Sequence, residues 1–378
     1  MRFNTACRAS ALFLSAVLSA SCATQPASQN AQLELELFVS EPDEINVVSA
    51  LIIGPTEMMV VSAQGTKSAA NRLADRIEET DRTLRYIFLT HPHFDHHQGA
   101  SVLKARFPMA RFVASPDVAR LQRVRAPMDD EQSRARLGAN AAVPYVLAED
   151  YPADTIEIDG VPIELWRGII GDAGLGYPDE PHTALYIPSL NALLPSDAVY
   201  HDAHVFLGGS SRESRMIWSA QLEGWLAREF EIVVPGHMAK TSLETLSPEV
   251  ALSHTRNYIA TYEAVLAESE TSDQLIAAMI EKYPDIRHRQ GLYLGAFFDF
   301  FEFRSMLIDK AGNVAAGPGP ASPQEAEAQR RQFEAVRRAY NPPDRSDRES
   351  QAVDCCGTPR SSLSYAAMQR FLPASLAA

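Results

Sequence analysis

The sequence predicts a mixed α and β fold, and three observations support this prediction. Strands come first, then strands alternate with helices, then strands return, and residues 247–306 are helical. Residues 154–166 alternate apolar and polar side chains on both sides of Asp159-Gly160, which is typical of a β-hairpin. The chain contains no internal repeat of about 20–50 residues, which argues against a repeat architecture.

The predicted fold begins with three strands and a helix. "LELELFV" alternates apolar and acidic residues, as a half-buried strand does. "INVVSALIIG" and "EMMVVSA" are apolar runs separated by a Gly-Pro pair, so they are predicted to be neighbouring buried strands. Helical spacing after a threonine predicts a helix in "TKSAANRLADRIEETD".

The alternation of strands and helices continues through the middle of the chain. "LRYIFLT" is predicted to be a strand, and the histidine-rich segment follows it directly. "GASVLKARF" then predicts a helix and "ARFVAS" a strand. Ser115 is the expected N-cap of the next helix, because Pro116 suits the first helical position.

Strands and then helices make up the second half. "TALYIP" and "NALLPSDAVY" are predicted strands, "SRESRMIWSAQLEGWLAREF" is an amphipathic helix, and "EIVVPGH" gives a strand and a turn. The helical region that follows has expected breaks near Ser272 and Pro284.

Composition divides the chain into four segments. Residues 1–22 resemble a signal peptide, 23–32 form a polar linker, 33–310 form the main domain, and 311–378 form a polar tail in which "EAEAQRRQFEAVRRAY" is one expected helix. The body of the chain has no cysteine, so no disulfide framework is expected to support its core. The adjacent pair Cys355 and Cys356 lies in the tail and lacks the spacing of a redox motif.

The N-terminal segment predicts export. Arginines precede the apolar run "ASALFLSAVLSA", which is too short to span a membrane, and small residues follow it. One interpretation is a plain secretory signal cut near Ala20 or Ala23. The other is a lipoprotein signal, because "LSASC" resembles one with Cys22 as the lipidated residue, although Ser19 stands where leucine is usual. The expected location is the periplasm or the outer membrane, otherwise the medium.

The net charge and the absence of certain motifs limit the classes of molecule that the protein is expected to bind. The formal net charge is −14 with a pI near 5.2, which argues against a nucleic-acid surface and against binding anionic lipid by charge. No glycine-rich nucleotide motif and no G-x-S-x-G elbow occurs. A small-molecule substrate is therefore expected, with membrane contact only through a lipid anchor at Cys22.

The segment "THPHFDHHQG" concentrates four of the ten histidines and an aspartate. His91 and His93 follow a predicted strand at positions i and i+2, so extended chain directs both imidazoles to one side. Asp95 and His96 lie at the turn into the next helix and are placed to hold a second point nearby. Imidazole and carboxylate groups suit zinc or another borderline metal. A solvated histidine-rich loop is the alternative.

The sequence resembles the metallo-β-lactamase superfamily over about residues 33–306, most strongly in "THPHFDHHQG". The domain at 33–310 is therefore expected to be a catalytic domain of that type. The resemblance implies an α+β fold, a four-layer αββα sandwich with its metals at one edge, here with extra C-terminal helices. It also implies two zinc ions, although other divalent metals are compatible. One ion would take His91, His93 and His182, and the other Asp95, His96 and His237, with Asp197 as the bridge.

The assignment of the remaining metal ligands depends on shorter sequence matches to the family. "EIVVPGHM" matches the last metal histidine at His237, and "ALLPSDAVY" matches the bridging aspartate at Asp197. "DEPHTALYIP" places His182 just before a strand, although glycine-rich surroundings are lacking. His201 and His204 compete with His182 for this position.

The resemblance implies hydrolysis by a hydroxide that bridges the metals, with Asp95 and Asp197 as the catalytic carboxylates. An aspartate in the bridging place favours an ester or lactone substrate, with thioesters and amides in the same reaction class. A β-lactamase and a non-catalytic metal-binding protein of the same fold are the alternatives.

Other residues around the motif are expected in supporting places. Tyr200, His204 and Phe206 follow Asp197 and are expected to line the substrate pocket. His97 is expected behind the ligands or at the surface. His254 and His288 are expected to be structural or surface residues.

Overall fold

The computed structural model describes residues 32–174, 180–300, 307–308 and 314–315. The chain divides into two units, Met1–Asn30 and Ala31–Ala378, and the description below concerns the second. The signal segment with Cys22, nearly all of the linker, and the tail helix with Cys355 and Cys356 lie outside the described residues. Within the described residues, no helix combines the length and apolar character needed to cross a membrane.

The first sheet contains six strands in sequence order. They are β1 (Glu34–Val39), β2 (Val48–Ile53), β3 (Glu57–Val61), β4 (Thr83–Leu89), β5 (Arg111–Ala114) and β6 (Glu149–Asp150). The first three pair antiparallel, and the pairs from β3 to β6 are parallel. β2 and β4 are apolar on both faces because both faces of this sheet are covered.

The second sheet contains five strands. They are β7 (Thr155–Ile158), β8 (Val161–Ile169), β9 (His182–Ile187), β10 (Ala192–His201) and β11 (Ile232–Met238). The predicted hairpin joins β7 and β8, and both turn residues, Asp159 and Gly160, have positive φ, as a two-residue hairpin turn requires. β10 and β11 are parallel neighbours, while the other pairs are antiparallel.

Eight α-helices lie among the described residues. They are α1 (Lys67–Glu79), α2 (Phe94–His97), α3 (Ala100–Arg106), α4 (Pro116–Leu137), α5 (Arg212–Leu226), α6 (Pro248–Glu268), α7 (Ser272–Lys282) and α8 (Arg289–Phe300). Two short strands follow, β12 (Leu307–Ile308) and β13 (Val314–Ala315).

Three apolar clusters show the layer order. Phe88 of β4 and Ile163 of β8 lie in a cluster between the two sheets. Leu73 of α1 and Ile87 of β4 lie in a cluster on the outer face of the first sheet. A third cluster joins the outer face of the second sheet to α5–α8, with Trp218 among its buried members. The layers are therefore helix, sheet, sheet and helix, with added C-terminal helices, as predicted.

Most helix positions agree with the sequence predictions. Breaks separate α6, α7 and α8 near Ser272 and Pro284. Ser115 occupies the N-cap position of α4, but its hydroxyl lies 2.8 Å from Thr183 Oγ1 and makes no capping bond. α4 also extends through Pro127 to Leu137, well beyond the apolar pattern that predicted it.

Trp218 supplies a stability test of the outer layer. Its side chain is fully buried, and its Nε1–H donates to the carbonyl of Ala198 at 2.8 Å. Trp218→Phe should lower the free energy of unfolding in urea by about 2–3 kcal/mol, because it leaves a cavity and an unpaired carbonyl. Met216→Ala on the same helix is the control, since Met216 is 65% exposed and should change stability by less than about 0.5 kcal/mol. Equal losses for the two variants would contradict the assigned packing.

Candidate metal centre

The first sheet supplies four of the predicted ligands. His91 and His93 follow β4, and His93 has extended backbone (φ −78°, ψ 140°) because it caps the start of α2. Asp95 and His96 lie in α2, which the backbone of Ala63 holds by donating to the carbonyl of His96 at 2.7 Å. Both histidines after the strand and both residues in the short helix are buried.

The second sheet supplies the remaining ligands. Asp197 lies in β10 and His237 in the neighbouring β11. A Cβ at Gly236 would overlap Asp197 Oδ1, so only glycine lets β11 pass the aspartate at this point. His237 also forms an isolated antiparallel bridge with Val47 of the first half, which brings the edges of the two sheets together.

The structure arranges seven buried side chains into two groups. The possible ligand atoms of His91, His93, Asp172 and Asp197 all lie within 4.8 Å of one another, and those of Asp95, His96 and His237 do the same. Six of these seven residues belong to the set predicted from the sequence, and Asp172 does not.

Asp197 lies between the two groups. Its Oδ1 is 3.1 Å from His96 Nε2, and its Oδ2 is 3.1 Å from His237 Nε2 and 3.5 Å from His91 Nε2. The second group closes with His237 Nε2 at 3.4 Å from Asp95 Oδ2. This is the position expected of a bridging carboxylate.

Each of the four histidines directs one ring nitrogen into the centre and holds the other outside it. The outer contacts are His91 Nδ1 to Thr90 Oγ1 (3.0 Å), His93 Nε2 to Glu180 Oε2 (3.2 Å), His96 Nδ1 to Ser62 Oγ (2.9 Å) and His237 Nδ1 to Ile45 O (2.9 Å). For His93 and His237 the outer partner is an oxygen that only accepts, so the outer nitrogen carries a proton and the inner nitrogen is the one that would bind an ion.

His182 was expected to bind the first ion, but the structure places it outside the two ligand groups. Its Nε2 donates to the backbone carbonyl of Asp172 at 2.7 Å, and its Nδ1 is buried without a hydrogen-bond partner. The carboxylate of Asp172 takes the place expected for His182, with Oδ2 at 3.4 Å from His93 Nδ1. The ring of His182 still stacks on His91, with centroids 4.5 Å apart.

A buried ionic network supports His93 from behind. Glu180 is ion-paired with Arg125 at 3.4 Å and accepts from the backbone N–H of Gly174. Arg125 in turn lies 3.9 Å from Asp129, which is also 3.9 Å from His97 Nε2. Burial raises the pKa of Asp129 to about 6 and lowers the pKa of His97 to about 3. His97 is thus a buried residue behind the ligands, one of its two expected places.

The carboxylates and histidines of the centre shift one another's pKa values. Burial opposes ionisation of Asp197, but His96, His237 and His91 outweigh it and hold the pKa of that carboxyl well below its usual range. Burial would lower the pKa of His93, but Asp172 and Glu180 raise it well above the usual range. Without metal, the carboxylates thus draw protons onto some of the surrounding histidines.

The three suggested pocket residues occupy different environments. Tyr200 is fully buried, and its hydroxyl donates to Asp172 Oδ2 at 2.9 Å. His204 is buried with its Nδ1 at 2.9 Å from the hydroxyl of Tyr258. Phe206 is half-buried, with its ring centroid 6.4 Å from that of His93 and edge-on to it.

Two further histidines have structural partners. The Nε2 of His201 lies 3.4 Å from Thr245 Oγ1, and that of His254 donates to the carbonyl of Ala203 at 2.8 Å. Neither belongs to the ligand groups found among the described residues.

His288 lies beside the centre, although it was expected to be a structural or surface residue. Its ring stacks on that of His237, with centroids 4.6 Å apart, and its buried Nδ1 has no hydrogen-bond partner. Burial lowers the pKa of His288 to about 3, so it is neutral. It lies between α7 and α8 at positive φ, where no sequence spacing relates it to the ligands.

Comparisons with known proteins agree with this arrangement. Residues 62–237 match the model of the metallo-beta-lactamase superfamily. The segment is a metallo-beta-lactamase superfamily domain. It begins just after β3 and ends at His237, so it contains all seven residues of the two ligand groups.

Solved structures of the same fold are also similar to the chain, while no curated protein matches it. A metallo-beta-lactamase family protein from Thermus thermophilus is 17% identical with a TM-score of 0.48, and the match covers 69% of this chain and 92% of the other. The metallo-beta-lactamase from Pontibacter korlensis is 18% identical with a TM-score of 0.41, covering 61% and 99%. DIM-1 metallo-beta-lactamase, in a crystal exposed to ceftazidime, is 16% identical with a TM-score of 0.43, covering 61% and 97%.

The residues present fit the metal ions that this superfamily binds. His91 Nε2 and Asp172 Oδ1 are buried without a hydrogen-bond partner, although an unpaired buried polar atom is costly. Divalent cations would satisfy both atoms and would offset the charge of the three buried aspartates. Four imidazoles and three carboxylates are suitable donors for zinc and its neighbours in the first transition series.

Glu180 provides a test of how the first group is held. Glu180→Gln should weaken metal binding at the group containing His93 by about tenfold, because the neutral amide is a poorer acceptor for His93 Nε2–H. Calorimetric titration of the metal-free protein measures the change. Glu149→Gln is the matched control, since Glu149 forms an exposed ion pair with Arg111. Equal metal affinities in the two variants would show that Glu180 does not orient His93.

Proposed function

We propose that this chain is a metal-dependent hydrolase that cleaves small carboxylic esters or lactones. One observation carries the proposal: two groups of metal-binding side chains face each other with Asp197 between them. His91, His93 and Asp172 would hold one ion, and Asp95, His96 and His237 the other. Zinc is the expected ion at both positions.

When bound, such ions lower the pKa of water to near neutrality and polarise a substrate carbonyl. The protein contributes fixed geometry. Thr90, Ser62, Ile45 and Glu180 hold the outer ring nitrogens of the four histidines, so these rings need no rearrangement during the reaction. Burial of the whole centre lowers the local dielectric, which strengthens the action of its charges on the developing oxyanion.

The surroundings of His93 favour an apolar acyl group. Phe206 is half-buried beside His93, and Phe298 packs edge-on against Phe206 with centroids 6.4 Å apart. The net charge of −14 disfavours polyanionic substrates. Together with an aspartate in the bridging place, which resembles the lactonase and thioesterase branches, these features support an ester or lactone over a β-lactam.

We also propose that the enzyme acts outside the cytoplasm. The support is the arginine-flanked apolar run that ends in small residues before Cys22. A periplasmic or lipid-anchored enzyme would meet small lactones and esters that enter from the surroundings.

The substrate proposal predicts a ranking of rates. The zinc-loaded protein should hydrolyse an aliphatic lactone or an aryl ester faster than a chromogenic β-lactam, and chelation should abolish the activity. Asp197→Asn should lower kcat/KM by about a hundredfold or more, because the charge that both metal groups share is lost. Parallel steady-state assays on the three substrates provide the measurement.

Asp202→Asn is the matched control for that variant. Asp202 lies just beyond β10, its carboxylate accepts from Ser242, and it belongs to neither ligand group. Its rates should equal those of the original protein. Efficient β-lactam hydrolysis with negligible esterase activity would make the chain a β-lactamase. Stable metal binding without turnover on the whole panel would favour a non-catalytic metal-binding protein.

The export proposal predicts the mature N-terminus. Intact-mass measurement from a bacterial host should find residues 1–21 removed and acyl groups on Cys22, or a free N-terminus at Ser21 or Thr24. In the first case Cys22→Ser should release a soluble protein or block processing, and in the second it should change nothing. A cytoplasmic protein that retains Met1 would contradict both forms.

A further inference from the structure

The two ligand groups have matching donors, which the superfamily resemblance did not imply. Each group has two histidines and one aspartate of its own, Asp172 in the first and Asp95 in the second. Asp197 reaches histidines of both groups. The difference from the expected set lies entirely at Asp172, which stands where a third histidine was expected.

Contacts on three sides hold Asp172 in a position where its carboxylate could bind a metal ion. Tyr200 donates to its Oδ2 at 2.9 Å, and its backbone N–H donates to the carbonyl of Asp197 at 3.3 Å. His182 Nε2 fixes its backbone carbonyl at 2.7 Å. Its Oδ1 remains buried with no hydrogen-bond partner. Because the Asp172 side chain is held in place and its Oδ1 makes no hydrogen bond, this oxygen is placed to bind an ion.

His182 cannot take this place without a rearrangement. Its Nε2–H is committed to the carbonyl of Asp172, and its Nδ1, which is buried without a hydrogen-bond partner, lies outside both ligand groups. His182 is therefore a positioning residue for Asp172. The first group keeps two imidazoles and gains a carboxylate.

A carboxylate in place of an imidazole changes both the charge and the hardness of the site. With Asp95, Asp172 and Asp197 ionised, the ligands carry three negative charges against the four positive charges of two divalent ions. A third histidine instead of Asp172 would leave only two negative charges. Carboxylates suit manganese, whereas imidazole suits zinc, copper, iron and nickel.

We infer that Asp172 sets the metal choice of the first site. The centre then takes two ions of the same element, and its preference for zinc over manganese is smaller than that of a three-histidine site. Zinc still binds more tightly than manganese in absolute terms. The inference rests on the proposed metal centre, but it does not depend on which substrate is cleaved.

Metal binding to the full mature protein tests the inference without any assay of turnover. Manganese is added to the chelated, dialysed protein, and the loss of the free Mn²⁺ electron paramagnetic resonance signal counts the bound ions. Two equivalents should bind. Asp172→Asn keeps the size of the side chain and removes its charge, so one equivalent should bind, or the weaker site should lose affinity by about tenfold or more.

Two further variants complete the design. Asp202→Asn makes the same chemical change outside the ligand groups and should bind two manganese ions. Asp172→His should raise the ratio of the manganese Kd to the zinc Kd, measured by competition, by about tenfold or more, equivalent to about 1.4 kcal/mol. Circular dichroism checks that each variant is folded, and Asp172→Asn alone decides the result if Asp172→His does not fold.

The outcomes separate this inference from the proposed function. Binding of two manganese ions by Asp172→Asn with unchanged affinity would overturn the inference, as would binding of only one by the original protein. An original protein that binds two ions, loses one in Asp172→Asn, and cleaves no ester or lactone would uphold the inference while defeating the proposed function.

Discussion

The arrangement of the whole centre depends on one buried carboxylate, that of Asp197, in contact with histidines from both sheets. An isolated buried charge is strongly unfavourable, so its partners must be in place when the domain folds. His91 and His96 come from the end of the first sheet, while Asp197 and His237 come from adjacent strands of the second. Gly236 permits this approach because any side chain there would overlap the carboxylate. The position of Asp197 therefore fixes how the edges of the two sheets meet, and the ligand groups form on either side of it.

The outer contacts of the histidines connect the centre to distant parts of the sequence. Ile45 lies in the segment between β1 and β2, Ser62 follows β3, Thr90 follows β4, and Glu180 precedes β9. Four separate segments, each next to a strand, thus contact one histidine ring each. The strands beside them belong to sheets with apolar cores. The orientation of each ring is therefore set by a contact from outside the centre. The C-terminal helices add a further contact, because His288 stacks on His237 from the segment between α7 and α8.

Local patterns and the family resemblance together predicted the fold and most of the centre, and they missed the parts set by tertiary contacts. Strand periodicity followed by H-x-H-x-D-H was sufficient for His91, His93, Asp95 and His96, because strand end, turn and helix are consecutive in sequence. Asp197 and His237 were assigned through the family resemblance of the apolar segments that contain them. Asp172, Glu180 and His288 lie in irregular segments whose position depends on packing, so no spacing marked them. His182 was predicted as a ligand because it begins a strand at the expected place. The direction of its ring is decided by a hydrogen bond to the carbonyl of Asp172, which the sequence does not encode locally.

The charges of the metal-free protein show what the ions replace. Asp197 has a pKa well below its usual range despite burial, while His93 and His237 have pKa values raised well above theirs, chiefly because Asp172 and Asp197 outweigh the burial that would lower them. Protons on these two histidines therefore neutralise part of the carboxylate charge in the absence of metal. Metal ligands must be deprotonated, so binding of cations has to displace those protons. The same electrostatic requirement, compensation of buried carboxylates, is met by protons in one state and by metal ions in the other. The fold is thus compatible with both states, and the cations meet ligands that hydrogen bonds have already oriented.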